Sequence, residues 1–388
     1  MVIVKEVSAK IILDSRNEKT ISVSIKTNVG EFSSSSPNGK SKGKFEAKPY
    51  KINLQEDIQS IKNLKDYFSK EIIEKFEDLR RVEDITEGHI GANTLFALES
   101  AVLKAIAKEK KKQVWQIINE KAKNFPRLVG NCVEGGQHSK YSLNKKPDFQ
   151  EFLLIPDDKL QNSFELNKKL RESVGIEISK TDENFKSEIG DENGWRTLLN
   201  EKEVLEILKK LKVPLGIDIA ASTFYKRKKY FYENPKLDRD SQEQLFYLKN
   251  LIKNFSIFYI EDPFDEDDFE SFAKLLKIFP GCLIVGDDLT VTNFSRLKKA
   301  IEMKSINAII VKPNQCGSLL NVRRVCDLAK ENKIKIIFSH RSGETEENIL
   351  ADLCFGFQAD FFKCGILGKE REAKLKRLFE IEKSLKKN

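Results

Sequence analysis

Six apolar runs in the second half of the chain each end on a group that can do acid–base or metal chemistry. Pro214-Leu215-Gly216-Ile217 ends on Asp218, and Ile257-Phe258-Tyr259-Ile260 ends on Glu261. Leu283-Ile284-Val285-Gly286 ends on Asp287, and Ala308-Ile309-Ile310-Val311 on Lys312. Ile334 to Phe338 ends on Ser339-His340-Arg341, and Asp360-Phe361-Phe362 on Lys363. After the first step of 43 residues, the spacings are 26, 25, 28 and 23. A strand with a returning helix takes roughly 25 residues or more. In a parallel barrel all six ends meet at one mouth, where barrel active sites lie. One such residue alone reads as a solvated strand end; six in one register read as a site.

Three carboxylates at one mouth, Asp218, Glu261 and Asp287, repel one another unless a cation joins them. Oxygen ligands on rigid strand ends suit Mg²⁺. Only three histidines exist, His89, His138 and His340, which argues against a His-rich zinc site. Lys312 and Lys363 face the same mouth. A lysine beside a metal and a second cation loses its proton more readily and can serve as a base. A charge partner for the carboxylates is the other reading, above all for Lys363. The segment His340-Arg341-Ser342-Gly343-Glu344-Thr345-Glu346 reads as the opening of a helix. Backbone N–H groups, Arg341 and Ser342 there would suit a phosphate, although a capping box looks similar.

The elements that position these groups follow from pattern. The first 35 residues alternate like strands, as in Thr20-Ile21-Ser22-Val23-Ser24-Ile25. A Ser/Gly/Lys-rich loop runs from Ser33 to Lys44, and residues 54 to 122 read as helices, most plainly Asn93 to Glu109. The charged stretch Asn119 to Asn124 before Phe125-Pro126 marks a domain boundary, giving 1–124 and 125–388. Beyond it strand-like runs alternate with amphipathic helices, such as the one after Asp265 with Phe272, Leu275, Leu276 and Phe279 on one face. That alternation predicts an α/β fold with a parallel sheet, and the number of units suggests a barrel.

Composition sets the outer bounds. The 388 residues include 40% hydrophobic residues and 26 Phe, enough for a large core. No apolar stretch reaches the roughly 18 to 20 residues of a membrane span, and Met1 to Leu13 interleaves Lys and Glu, unlike a signal peptide. None of the six cysteines forms a CxxC pair, which predicts reduced thiols in a cytoplasmic protein. The net charge of +8 is spread among interleaved acids, so a nucleic-acid face is not expected, while an anionic substrate fits the sign.

At these residues the chain resembles the enolase family. Ser339 to Glu346, Ile260-Glu261-Asp262-Pro263 and Gly286-Asp287-Asp288-Leu289 look like its signature segments. Asp14-Ser15-Arg16, Gly91-Ala92-Asn93, Gln150-Glu151-Phe152, Gly190-Asp191-Glu192, Asp218 with Ala220-Ala221-Ser222, and Lys312 with Asn314-Gln315 extend the likeness over nearly the whole chain. The resemblance implies a smaller α+β N-terminal domain capping a (β/α)8-type barrel with an irregular start. It implies Mg²⁺-dependent, reversible dehydration of 2-phosphoglycerate to phosphoenolpyruvate, with two ions per site, in a homodimer or higher oligomer. By resemblance, Asp218, Glu261 and Asp287 bind the first ion, and Ser41 helps to ligate the second. Lys312 takes the C2 proton. Glu192, supported by Glu151, helps the C3 hydroxyl leave. His340, also counted among the catalytic groups, joins Arg341 and Ser342 at the phosphate end. Lys363 holds the carboxylate, and His138 and Gln150 line the pocket.

The chain departs from the family in places. Its first loop is Pro37-Asn38-Gly39-Lys40-Ser41-Lys42-Gly43, where Pro-Ser-Gly-Ala-Ser-Thr-Gly is usual, and Asn193-Gly194 stands for Gly-Gly. Asn17-Glu18-Lys19 and Cys364-Gly365-Ile366 are further departures. Two other readings are a related barrel enzyme acting on a non-phosphorylated acid sugar, and a catalytically silent binding protein with this fold. The His340–Glu346 and Ser41 segments argue against the first; the altered loops are the only support for the second.

Overall fold

The computed structural model describes residues 1–40, 43–68, 71–139 and 145–386. The first strands form an antiparallel sheet, β1 (Val2–Leu13), β2 (Lys19–Thr27), β3 (Gly30–Ser35) and β4 (Ile72–Ile73), in the order β3-β2-β1-β4. The alternation read from the sequence puts Ile21, Val23 and Ile25 on the buried face. The helix Ala92–Glu109 packs on β2 and β3. Its Ala97, Ala101 and Ala105 are fully buried, and their small side chains let the helix lie close to the sheet.

The second half closes a barrel of eight strands. These are β5 (Arg127–Glu134), β6 (Glu151–Leu154), β7 (Leu215–Asp218), β8 (Tyr259–Glu261), β9 (Leu283–Gly286), β10 (Ala308–Val311), β11 (Lys335–Ser339) and β12 (Phe361–Lys363). From β7 to β12 every neighbour is parallel, and β12 pairs with β5 to close the ring. The start is irregular. Among the described residues the connection from β5 to β6 holds only the short turn Gly136–His138, and β6 runs antiparallel to both β5 and β7. Val129, Leu153, Tyr259, Val285, Ile310 and Ile337 fill the interior, which is a packed core and not a pore.

The long step from Asp218 to Glu261 is explained by an insertion. A small antiparallel sheet, Tyr225–Lys226, Lys229–Glu233 and Lys236–Arg239, precedes the returning helix Ser241–Phe255. The helix predicted after Asp265 spans Phe269–Ile278. Phe272 and Leu275 are fully buried; Leu276 and Phe279 are half-buried, and Phe279 already lies past the helix end.

One expectation is overturned. His340 to Glu346 do not open a helix; the next helix is Ile349–Gly356. Gly343 instead exchanges two backbone hydrogen bonds with Asn38, at 2.7 and 2.9 Å, and the Glu344 carboxylate accepts the Arg341 N–H at 3.0 Å. These bonds tie the segment to the first domain. Ser35 reaches Thr345 at 2.8 Å and Lys104 pairs with Glu347 at 2.7 Å, so the exit of β3 lies across the barrel mouth.

Candidate active site

Two walls face one pocket at that mouth. Strand register builds the first. Glu261 lies opposite Asp218, and Asp218 opposite Glu151, so three carboxylates share adjacent strand ends. All three are buried. Lys363 Nζ stands among them, 2.8 Å from Glu151, 3.0 Å from Asp218 and 2.8 Å from Glu261. Burial works against its charge, but Asp218, Glu151 and Glu261 outweigh burial and raise its pKa well above the usual lysine range. Lys312 pairs with Asp287 on the next strand ends. Burial opposes its charge too, and Asp287 overrides it, so Lys312 is held more firmly protonated than a free lysine. Its nearest partner is the Asp287 anion, which favours the ammonium.

The second wall carries Glu134 at the end of β5, Glu151 at the start of β6, Glu192 on the following loop, and two histidines. Glu192 Oε2 lies 3.0 Å from His340 Nε2, while His138 Nδ1 is 3.4 Å from Glu151 and 3.8 Å from Glu192. Glu134 accepts the backbone N–H groups of Glu192 at 3.0 Å and Gly194 at 2.6 Å. A side chain at Gly190 would collide with the Glu134 carboxylate, so the loop turns only because glycine stands there. Burial pushes Glu134 up to about 8, with Glu192 adding to the effect. Burial and Glu192 likewise push Glu151 up to about 7. His138 rises to about 9, since the neighbouring carboxylates overcome burial. Burial keeps His340 low despite Glu192, and the two histidines hold Glu192 well below the usual carboxylate range.

Between the walls lies the segment after β11. The Arg341 guanidinium packs against Gly39, where any side chain would clash with it. Its two terminal nitrogens hold the Glu46 carboxylate, each at 3.1 Å. Ser342 Oγ accepts from the Lys40 N–H at 2.9 Å and from Arg16 at 3.0 Å, and the Lys40 ammonium pairs with Asp191 at 2.6 Å. Gln150 Nε2 is 3.5 Å from Asp218.

One pocket thus gathers His138, Gln150, Glu151, Glu192, Asp218, Lys312, His340, Arg341, Ser342 and Lys363. Glu261 and Asp287 join it through the two lysines. Ser41 lies outside the described residues. Glu46, Glu134 and Asn131, whose amide is 3.3 Å from Glu192, were missed in the sequence. The signal for Glu134 was present, for Leu128 to Val133 is another run ending on an acid.

The donor set fits a hard divalent cation. Burial, with Asp218 adding to it, pushes Glu261 well above the carboxylate range, so the two lysines leave this wall short of positive charge. The expected trio is not the tightest group. Among the described residues the carboxylate oxygens that converge within 4.8 Å, with no histidine, are those of Asp262, Asp287 and Asp288. Lys363 stands between Asp218 and Glu261, and Lys312 engages Asp287.

A lysine set among carboxylates, facing a carboxylate set among histidines, suits a reaction that takes a proton and a hydroxyl from adjacent carbons. The comparisons with known proteins narrow that class. The family model "Enolase, N-terminal domain" matches residues 4–118, and "Enolase, C-terminal TIM barrel domain" matches residues 122–388. The enolase of Methanosphaera stadtmanae is 34% identical over 408 aligned residues, covering 99% of this chain and 97% of the relative. That of Sulfurisphaera tokodaii is 35% identical, covering 98% and 95%, and that of Pyrobaculum aerophilum 38% identical, covering 67% and 64%. The chain belongs to the enolase family. Its activity is that of a carbon–oxygen lyase of the phosphopyruvate hydratase type, and its substrate is a small phosphorylated molecule. The acid-sugar and binding-protein readings gain no support. No helix among the described residues is long and apolar enough to cross a membrane.

Proposed function

We propose that this lyase dehydrates 2-phosphoglycerate with Lys312 as base and Glu192 as acid. The observation that carries the assignment is that the two side chains line one pocket from different walls. Asp218, Glu261 and Asp287 would hold a first Mg²⁺, and Ser41 would help to hold a second. When bound, the ions supply positive charge to the substrate carboxylate, which stabilises the charge left on removing a weakly acidic C2 proton. Lys312, poised beside Asp287, accepts that proton in its neutral form. Glu192 is anionic in the free protein; it draws the proton that the departing hydroxide needs from its histidine and carboxyl neighbours, chiefly His138. Glu151 and Glu134 keep that proton nearby. Arg341, Ser342 and His340 hold the phosphate, Lys363 orients the substrate carboxylate, and Gln150 and His138 border the pocket.

The same reading divides the chain at 124/125, assembles it as a homodimer or larger homo-oligomer, and places it in the cytoplasm, in glycolysis and gluconeogenesis. The test is a coupled assay of purified protein with 2-phosphoglycerate. Turnover should require Mg²⁺ and vanish in excess chelator. Undiminished turnover in chelator would remove the metal role.

A further inference from the structure

The Arg341 fork is already occupied. Glu46 presents its carboxylate to both terminal nitrogens, and both side chains are at least nine-tenths buried. A carboxylate on an arginine fork is the geometry a phosphate would adopt there. Glu46 does not stand alone. Its Oε1 also accepts the Gly43 N–H at 3.1 Å, and Gln315 Nε2 lies 3.4 Å away. The same Gln315 amide reaches Asp287 at 3.2 Å, and its oxygen accepts from Thr292, whose hydroxyl oxygen in turn accepts the Lys312 N–H. Asn314 Oδ1 adds a weaker contact to Arg341 at 3.4 Å. One connected set of bonds therefore runs from the phosphate arginine to the carboxylate that anchors the base.

We infer that Glu46 is a positioning residue that fixes the Arg341 guanidinium and competes with the substrate phosphate for it. The inference rests on the reading of Arg341 as the phosphate-holding group. Two effects follow from the charge of Glu46. The anion beside the fork lowers affinity for any phosphate, because the incoming group meets a guanidinium already half neutralised. It also holds the guanidinium plane in place, so that an arriving phosphate finds it oriented. Removing only the charge should separate the two: phosphate binds more tightly, and turnover falls.

The experiment titrates the Mg²⁺-loaded protein with inorganic phosphate, and measures kcat and KM for 2-phosphoglycerate, in wild type, Glu46→Gln, Glu46→Asp and Arg341→Lys. Glu46→Gln should bind phosphate about fivefold more tightly, a change of the size expected for one partly buried charge, with KM falling alongside kcat. Glu46→Asp, which keeps the charge, should restore phosphate affinity toward wild type. Unchanged or weaker phosphate binding in Glu46→Gln overturns the inference. Arg341→Lys should weaken phosphate binding at least tenfold, since an ammonium cannot replace a bidentate fork. If that variant binds phosphate as wild type does, the reading of Arg341 itself fails, whatever Glu46 shows. Melting curves accompany each variant. Glu46→Ala carries the same expectation as Glu46→Gln and takes its place if the glutamine protein does not fold.

Discussion

On one wall of the pocket Asp218, Glu261 and Asp287 face Lys312 and Lys363. On the other, Glu134, Glu151 and Glu192 face His138 and His340, and Glu151 joins the two walls through Lys363, 2.8 Å away. Both walls bury three carboxylates, and burial of an unpaired carboxylate is expensive. The first wall balances them with two lysines, whose charge persists across neutral pH, although burial and Asp218 push Glu261 well above the carboxylate range. The second balances them with groups that titrate near neutrality: Glu151 at about 7, Glu134 at about 8 and His138 at about 9. Fixed charge suits a metal and a carbanion-like intermediate. Mobile protons suit delivery to a leaving hydroxide. The asymmetry suits the proposed division, with proton removal at the first wall and proton donation at the second.

The sharpest way to break that comparison is to delete the base. Lys312→Ala should abolish dehydration and also the exchange of the C2 proton with heavy water, each by more than about 10³-fold, near the upper range for a positioned base. NMR of 2-phosphoglycerate incubated with the variant reads both at once. Exchange at the wild-type rate would show that the base lies elsewhere, with His340 or Lys363 next in line.

Damage to the other wall should look different. Glu192→Gln removes the acid but leaves Lys312 and the carboxylates of the first wall in place. Dehydration should fall about 10²- to 10⁴-fold. C2 exchange should survive at a measurable rate. Parallel loss of the two activities would mean that the walls do not act in sequence.

The sequence disclosed the two walls unequally, for a physical reason. Asp218, Glu261, Asp287, Lys312 and Lys363 end strands of the parallel run, where a repeat of about 25 residues fixes direction as well as position. Glu192 and Glu151 have no such period. They stand where the barrel is irregular, with β6 reversed and two helices before β7. Resemblance, and not spacing, pointed to them. Glu46 was not legible at all, since it lies in a loop whose contact with Arg341 joins residues 295 positions apart. The expected helix at His340 to Glu346 failed for a related reason. The capping-like bond from the Arg341 N–H to Glu344 does form, but Gly343 pairs with Asn38, a partnership between domains that no local pattern shows.

The smallest expected effect concerns the proton store behind Glu192. Glu134 touches no group assigned to substrate or metal; it holds the Glu192 loop through the N–H groups of residues 192 and 194. The titratable groups acting on it are His138, Glu192 and Glu151, of which only His138 favours its ionised form. Burial pushes its carboxyl up to about 8 in the folded protein, against an ordinary value of 4.5. Between those values the folded protein binds more protons at this site than the unfolded chain does. Stability must therefore fall as pH rises through that window, and level off above it. Glu134→Gln keeps an oxygen for both N–H groups and removes the titration. The variant should gain on wild type in melting temperature as pH rises from 6 to 9, by roughly 2–4 °C for each kcal/mol relieved. A difference that stays constant with pH would place Glu134 among permanently ionised carboxylates. The contrast between lysine-held and histidine-held carboxylates would then lose its support from Glu134.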